Sequence, residues 1–136
     1  MSYLLDTNIC IYIIKKKPVS VFKKFEAILP GEIGISSITL AELYYGAIKS
    51  SNQQKNLAAL NQFLTPLSIY NFDYASCMEY GSIRTDLEKK ETPIGALDTL
   101  IAAHAKSLNL ILVTNNEKEF NRVDGLTIEN WVAPGE

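Results

Sequence analysis

Three acids in this chain stand where acids are costly, and a fourth could join them. Asp6 directly follows the apolar run Tyr3-Leu4-Leu5, so its carboxylate sits at the rim of a buried strand, half removed from water. Taken alone it reads as a turn or helix-capping residue. Glu42 lies in a helical stretch whose apolar stripe Ile38, Ala41, Tyr45, Ile48 predicts the inward face. It falls between Ile38 and Tyr45 at helical offsets, on or beside that face. A carboxylate there needs a proton, a metal ion or a basic partner, for which Lys49 and Arg84 are candidates. Gly46, one turn further on, leaves space beside it. Asp98 heads the inward-facing set Ile101, Ala102, Ala105 and lies in a first helical turn, where the helix dipole favours an anion. Glu119 follows the polar turn Thr114-Asn115-Asn116 and could add a fourth carboxylate, with Thr114 and Asn116 able to hold water or phosphate.

Each signal is weak alone, and their convergence carries the argument. Two carboxylates ~4 Å apart repel by about 4 kcal/mol at an effective dielectric of about 20. A group of three or four is tolerable if divalent cations, shared protons or basic partners offset that repulsion. No histidine or cysteine grouping resembles a zinc site, so the donor set is all oxygen and suits Mg²⁺ or Mn²⁺. Such a site suits phosphodiester cleavage, with one ion or two ions ~3.5–4 Å apart polarising phosphate, water and leaving group. We expect Asp6, Glu42, Asp98 and Glu119 as catalytic residues, with Asp6 and Asp98 as metal ligands. His104 is the only histidine; its position beside Ile101 and Leu108 predicts a structural role.

The elements that must hold these residues alternate. Ser2 to Leu5 reads as a strand, and Asn8 to Lys16 as a helix capped by Thr7 or Asn8. Pro18 separates it from a helix over Val19 to Leu29, and Pro30-Gly31 is a turn. A strand over Ile33 to Ile35 leads to a helix capped by Ser36 or Ser37 and running to about Lys49. A helix follows over Gln53 to Leu64, then a strand over Leu67 to Tyr70 and a long helix over Tyr74 to Lys90. After the Thr92-Pro93-Ile94-Gly95 loop come a helix over Leu97 to Lys106, a strand over Leu110 to Val113, and an edge strand over Leu126 to Ile128. Strands alternating with helices predict an α/β/α three-layer domain around a mostly parallel sheet. Ligands of such sheets bind beyond the carboxyl ends of the strands, where Asp6 and Thr114-Asn115-Asn116 fall.

Composition sets the remaining bounds. The 136 residues fit one domain, expected over residues 1–132 with a loose tail at 133–136. Hydrophobic residues at 47% can fill a core without disulfides, so Cys10 and Cys77 are expected to be buried free thiols. No run is long and apolar enough to span a bilayer, and no signal-peptide layout opens the chain, so the expected location is cytoplasmic. The net charge of −2 counts mildly against nucleic-acid binding. Basic residues gathered on one face would offset that, and Lys15, Lys16, Lys17, Lys23 and Lys24 are the candidate set.

Leu4-Leu5-Asp6-Thr7-Asn8, Ile38 to Gly46, Pro93 to Ala105 and Leu112-Val113-Thr114-Asn115-Asn116 together resemble the PIN-domain family, and within it the VapC toxins of bacterial VapBC toxin–antitoxin pairs. The resemblance covers nearly the whole chain in order and spacing. It implies a PIN-type α/β fold, Mg²⁺- or Mn²⁺-dependent endoribonuclease activity, a homodimer, and inhibition by a VapB-type antitoxin whose tail fills the acidic groove. By position Asp6, Glu42 and Asp98 match the family's core acids, and Asn8 and Thr114 its polar positions beside them. Many members carry Asp where this chain has Asn116, followed by an acid three residues later; here Glu119 stands at that later place. The form with Asn116 and Glu119 resembles an enteric-type subgroup that cuts initiator tRNA in its anticodon loop. A haloacid-dehalogenase-type phosphatase would need an acid at Asn8, and a response-regulator receiver an early acidic pair. The alternative with weight is a catalytically silent PIN-fold module that binds RNA or protein.

Overall fold

In the computed structural model, which describes residues 2–136, a five-stranded sheet separates two helical layers. The elements are β1 (Tyr3–Leu5), α1 (Thr7–Lys15), α2 (Val19–Ala27), a 3₁₀ turn at Pro30–Glu32, β2 (Ile33–Ser36), α3 (Ser37–Lys49), α4 (Gln53–Leu64), β3 (Ser68–Tyr70), α5 (Tyr74–Lys89), α6 (Ala96–Leu108), β4 (Ile111–Val113), α7 (Glu117–Phe120) and β5 (Ile128–Glu129). The strand order is β3-β2-β1-β4-β5, and every pairing is parallel.

The period of two along each strand divides the core. Leu5, Ile33, Ile35 and Val113 join Ile9, Cys10 and Ile13 of α1, Leu43 of α3, and Leu60 and Phe63 of α4. Leu4 and Leu112 face the other way, onto Ile83 and Leu87 of α5, Ile101 and Ala102 of α6, and Phe120. Each fully buried Leu or Ile contributes roughly 1.5–3 kcal/mol over an exposed one. Because both sheet faces are covered, the strands read as short apolar runs. The order reverses between β1 and β4, so the crevice beyond their carboxyl ends lies at a topological switch point.

Several expectations need correction. Asp6, not Thr7 or Asn8, caps α1: its Oδ1 accepts from the Ile9 N–H at 2.9 Å. On α3 the buried stripe is Thr39, Leu43, Ala47, while Ala41, Tyr45 and Ile48 are exposed. Apolar residues lie on both sides of this helix, and spacing alone does not say which side meets the sheet. Cys10 is buried, but Cys77 is exposed on α5. The last strand comes two residues later than expected, at Ile128–Glu129, where Leu112 N and Thr114 N donate to Thr127 O and Glu129 O. After β5, Ala133 N donates to Ser20 Oγ and the Glu136 carboxylate accepts from Ser20 N.

Candidate active site

The four acids arrive at the crevice from four elements. Asp6 ends β1, where its N–H donates to Val113 O and so locks the rim of β1 to β4. Asp6 is only 7% exposed, and its pKa is raised from 3.8 to about 6. Desolvation is the largest cause. The Thr114 hydroxyl and the Ile9 N–H stabilise the carboxylate but do not outweigh burial, and the charges of Asp98 and Glu42 push further upward.

Glu42 reaches the crevice from α3, one residue before the buried Leu43. Its Oε1 accepts a 2.7 Å hydrogen bond from the Thr7 hydroxyl, which also lies 3.4 Å from Thr39 Oγ1. Thr7 thus fixes the Glu42 carboxylate relative to Asp6, its chain neighbour. Neither basic partner considered for Glu42 takes it: Arg84 bonds Tyr80 and Glu88, and Lys49 lies over the Tyr45 ring.

Asp98 lies half-buried in the first turn of α6, against Gly95. Its pKa is raised, first by desolvation, then by the charges of Glu119 and Glu42 and a hydrogen bond shared with Glu119; Asn116 opposes the rise. Glu119 is held by Asn116, whose Nδ2 donates to Glu119 Oε2 at 3.1 Å. Asn116 is itself placed by its N–H donating to Thr114 Oγ1 at 2.9 Å. Glu117 is exposed and accepts from Asn130 instead.

Asp6, Glu42, Asp98, Glu119, Thr114 and Asn116 therefore meet at one rim. Asn8 does not join them: it is exposed on α1, outside the network that links the acids. Spacing points to neither the Thr7–Glu42 bond nor the contact between the α3 cap Ser36 and His104. Thr7 was read as a cap only, although a hydroxyl next to the first acid is the signal that could have found it. Ser36 caps α3, accepting from Ile38 N at 3.0 Å, and lies 2.7 Å from Nδ1 of the buried His104. His104 packs edge-on against Tyr70 and Phe72, and burial lowers its pKa. It fastens the Asp98 helix to the start of the Glu42 helix and takes no place among the acids.

No ion pair among the described residues reaches the four acids. Negative charge is concentrated, desolvated and without a protein counterion, and its donors are all oxygen. That chemistry fits a hard divalent cation such as Mg²⁺ or Mn²⁺. As they stand, no three acidic, histidine or cysteine side chains among the described residues close around a single point. Burial and the neighbouring carboxylates raise both Asp6 and Asp98, and this is the electrostatic strain that a bound cation would relieve.

Residues 3–126 match the PIN domain family. The chain is 45% identical over 131 residues to the tRNA(fMet)-specific endonuclease VapC of Shigella flexneri, covering 96% of this chain and 98% of that protein. It is 46% identical over 132 residues to ribonuclease VapC2 of Haemophilus influenzae, covering 97% and 99%. Among solved structures, it superposes with a TM-score of 0.91 and 47% identity on a chain of the VapBC2 complex of Rickettsia felis bound to a DNA fragment from their promoter, covering 97% of this chain and 100% of that one.

Proposed function

Because the chain belongs to the PIN-domain family, in its VapC group, we propose that it is the ribonuclease toxin of a VapBC pair, a divalent-metal-dependent endoribonuclease cutting initiator tRNA in the anticodon loop. The observation that carries the metal-dependent reading is a rim of four carboxylates that no ion pair among the described residues reaches, where burial raises Asp6 to about 6 and raises Asp98 as well. The substrate rests on the name of the Shigella relative and on the Asn116–Glu119 form of the last motif.

In this reading Asp6 and Asp98 would hold the cation, with Glu42 and Glu119 beside them at the rim. A bound Mg²⁺ would supply Lewis-acid polarisation of the phosphodiester and a lowered pKa for the attacking water. The residues' own work is positional and protonic. Thr7 keeps Glu42 Oε1 aimed at the rim, and Asn116 does the same for Glu119 Oε2. Asp6 and Asp98 are desolvated and repel each other, and each would have to be ionised to hold the cation, so binding would strengthen as pH rises through about 6. Thr114, which stabilises the Asp6 carboxylate through its hydroxyl, orders the turn that carries Asn116.

The partner is a VapB-type antitoxin. An apolar groove of about 280 Å³ between α1, α3 and α4, lined by Ile11, Ile14, Leu43, Ala47 and Leu60 with Glu42 at its edge, offers an amphipathic tail a path to the acids. The chain acts as a homodimer in the cytoplasm; the homodimer is implied by its family, and a reducing compartment suits its two free cysteines. The test is incubation of antitoxin-free protein with purified initiator and elongator tRNAs in Mg²⁺, with the fragment ends sequenced. Cleavage confined to the initiator anticodon loop supports the assignment; equal cutting of both, or cutting elsewhere, removes that substrate.

A further inference from the structure

The chain's positive charge is unevenly placed. Residues 15–24 hold five lysines and no acid, leaving eight basic against fifteen acidic side chains, −7, for the rest. None of the five lysines enters an ion pair among the described residues. Lys16 is turned onto the Phe22 ring, 5.7 Å from its centroid. Lys15 and Lys17, both exposed, instead line a groove of about 400 Å³ together with Tyr12, Pro18, Asn115 and Glu136. Asn115 connects this groove to the acidic rim. It lies between Thr114, which stabilises Asp6, and Asn116, which holds Glu119, and its Oδ1 is fixed by Asn130 Nδ2 at 3.1 Å.

We propose that this groove seats the single-stranded RNA flanking the scissile bond, with Lys15 and Lys17 on successive phosphates, the Tyr12 ring under a base and Asn115 at the entrance to the acids. The inference rests on the ribonuclease reading and adds to it the residues that guide the strand. The volume lies in the ~300–1,000 Å³ range of ligand sites, room for a nucleotide. Lysines that contact phosphate release counterions, and an aromatic ring accepts any base by stacking. The groove answers a difficulty of the acidic rim, which repels the polyanion it must cut: attraction is supplied one step away, on a surface that carries no metal ligand. Glu136 is the one acid on the groove, and its carboxylate is engaged by Ser20 N at 3.2 Å.

The test uses the full chain carrying Asp98→Asn, so that the probe survives, and a fluorescent RNA hairpin with the initiator anticodon loop. Binding is read by anisotropy in Mg²⁺ over a range of KCl. Lys15→Ala with Lys17→Ala should weaken binding about tenfold or more and flatten the log–log salt slope by about 1.5, the signature of two lost phosphate contacts. Lys23→Ala with Lys24→Ala, outside the groove, should leave the slope within about 0.5 of the parent's. Tyr12→Leu should cost about fivefold or more with the slope unchanged, as loss of stacking requires. Glu136→Gln should tighten binding. An unchanged slope and affinity in the Lys15/Lys17 double variant overturns the proposal. Cleavage by the otherwise unaltered chain is scored separately: intact cleavage with an indifferent double variant rejects the groove alone. Absent cleavage rejects the ribonuclease reading, while the binding data still judge the groove.

Discussion

Substituting Asp6 by Asn should make the metal-free protein more stable at neutral pH. Burial raises the Asp6 pKa from 3.8 to about 6, so the folded chain holds this proton more tightly than the unfolded chain. Stability then falls as pH rises through the window from 3.8 to about 6. Below the window both states are protonated and no penalty exists. Above it both are ionised and the full penalty applies, about 3 kcal/mol at about 1.4 kcal/mol per pKa unit. Asn caps helices about as well as Asp, so the Ile9 N–H keeps an acceptor and α1 loses little. In EDTA at pH 7, Asp6→Asn should therefore gain about 3 kcal/mol by urea unfolding, or about 10 °C in Tm for a chain of this length. Near pH 3.5 the two proteins should be about equal. Mn²⁺ at about 1,000-fold excess over Kd should reverse the order at pH 7, because it adds about 4.1 kcal/mol to the parent and little to the variant. A stability difference that does not change between acid and neutral pH would refute the claim that Asp6 is a strained, desolvated acid.

Three further outcomes follow from the same geometry. Glu119→Gln should lower cleavage about tenfold or more and Glu117→Gln less than about twofold, since only Glu119 is held at the rim by Asn116; equal rates would take Glu119 out of the site. Thr7→Val should lower kcat about ten- to a hundredfold by removing the charge-assisted bond that aims Glu42, with KM for RNA little changed. A loss confined to KM would contradict a positioning role. Gly34→Ala should destabilise the fold by about 1–3 kcal/mol in thermal unfolding, because a Cβ there meets Ser68 O at 2.9 Å and the Tyr70 ring; an unchanged Tm would mean that β2 and β3 part easily.

The strands and most helices were legible because their signals are local. Leu4-Leu5 before an acid, Pro18, Pro30-Gly31 and Thr65-Pro66 bound the segments, and α4 falls where its pattern predicts. Asp98 on α6 was legible for the same reason, as a polar residue on a helical face, whereas Glu42 reaches the rim from a helix whose buried side is not the one its apolar stripe predicts. What spacing could not supply was orientation around an axis and partners across the fold. Apolar residues lie on two sides of α3; their spacing points to the side of Ile38, Ala41, Tyr45 and Ile48, and the contact with the sheet selects Thr39, Leu43 and Ala47 instead. Cys77 looked as buried as Cys10, yet α5 turns it outward. The Thr7–Glu42 bond spans 35 residues and the Ser36–His104 contact spans 68, beyond the reach of any periodicity. Asp6 serves both as the α1 cap and as the most perturbed acid of the rim, so the capping role of that residue leaves room for the functional one proposed for it.

The central claim is that these acids cut RNA through a bound divalent cation. Its most direct test incubates antitoxin-free protein and its Asp98→Asn variant with total bacterial RNA, in Mg²⁺ and in EDTA, with circular dichroism confirming both folds. The account predicts discrete fragments from the unaltered protein in Mg²⁺ alone, and intact RNA in the other three reactions. Cleavage that persists in EDTA, or at an undiminished rate with Asp98→Asn, would contradict it.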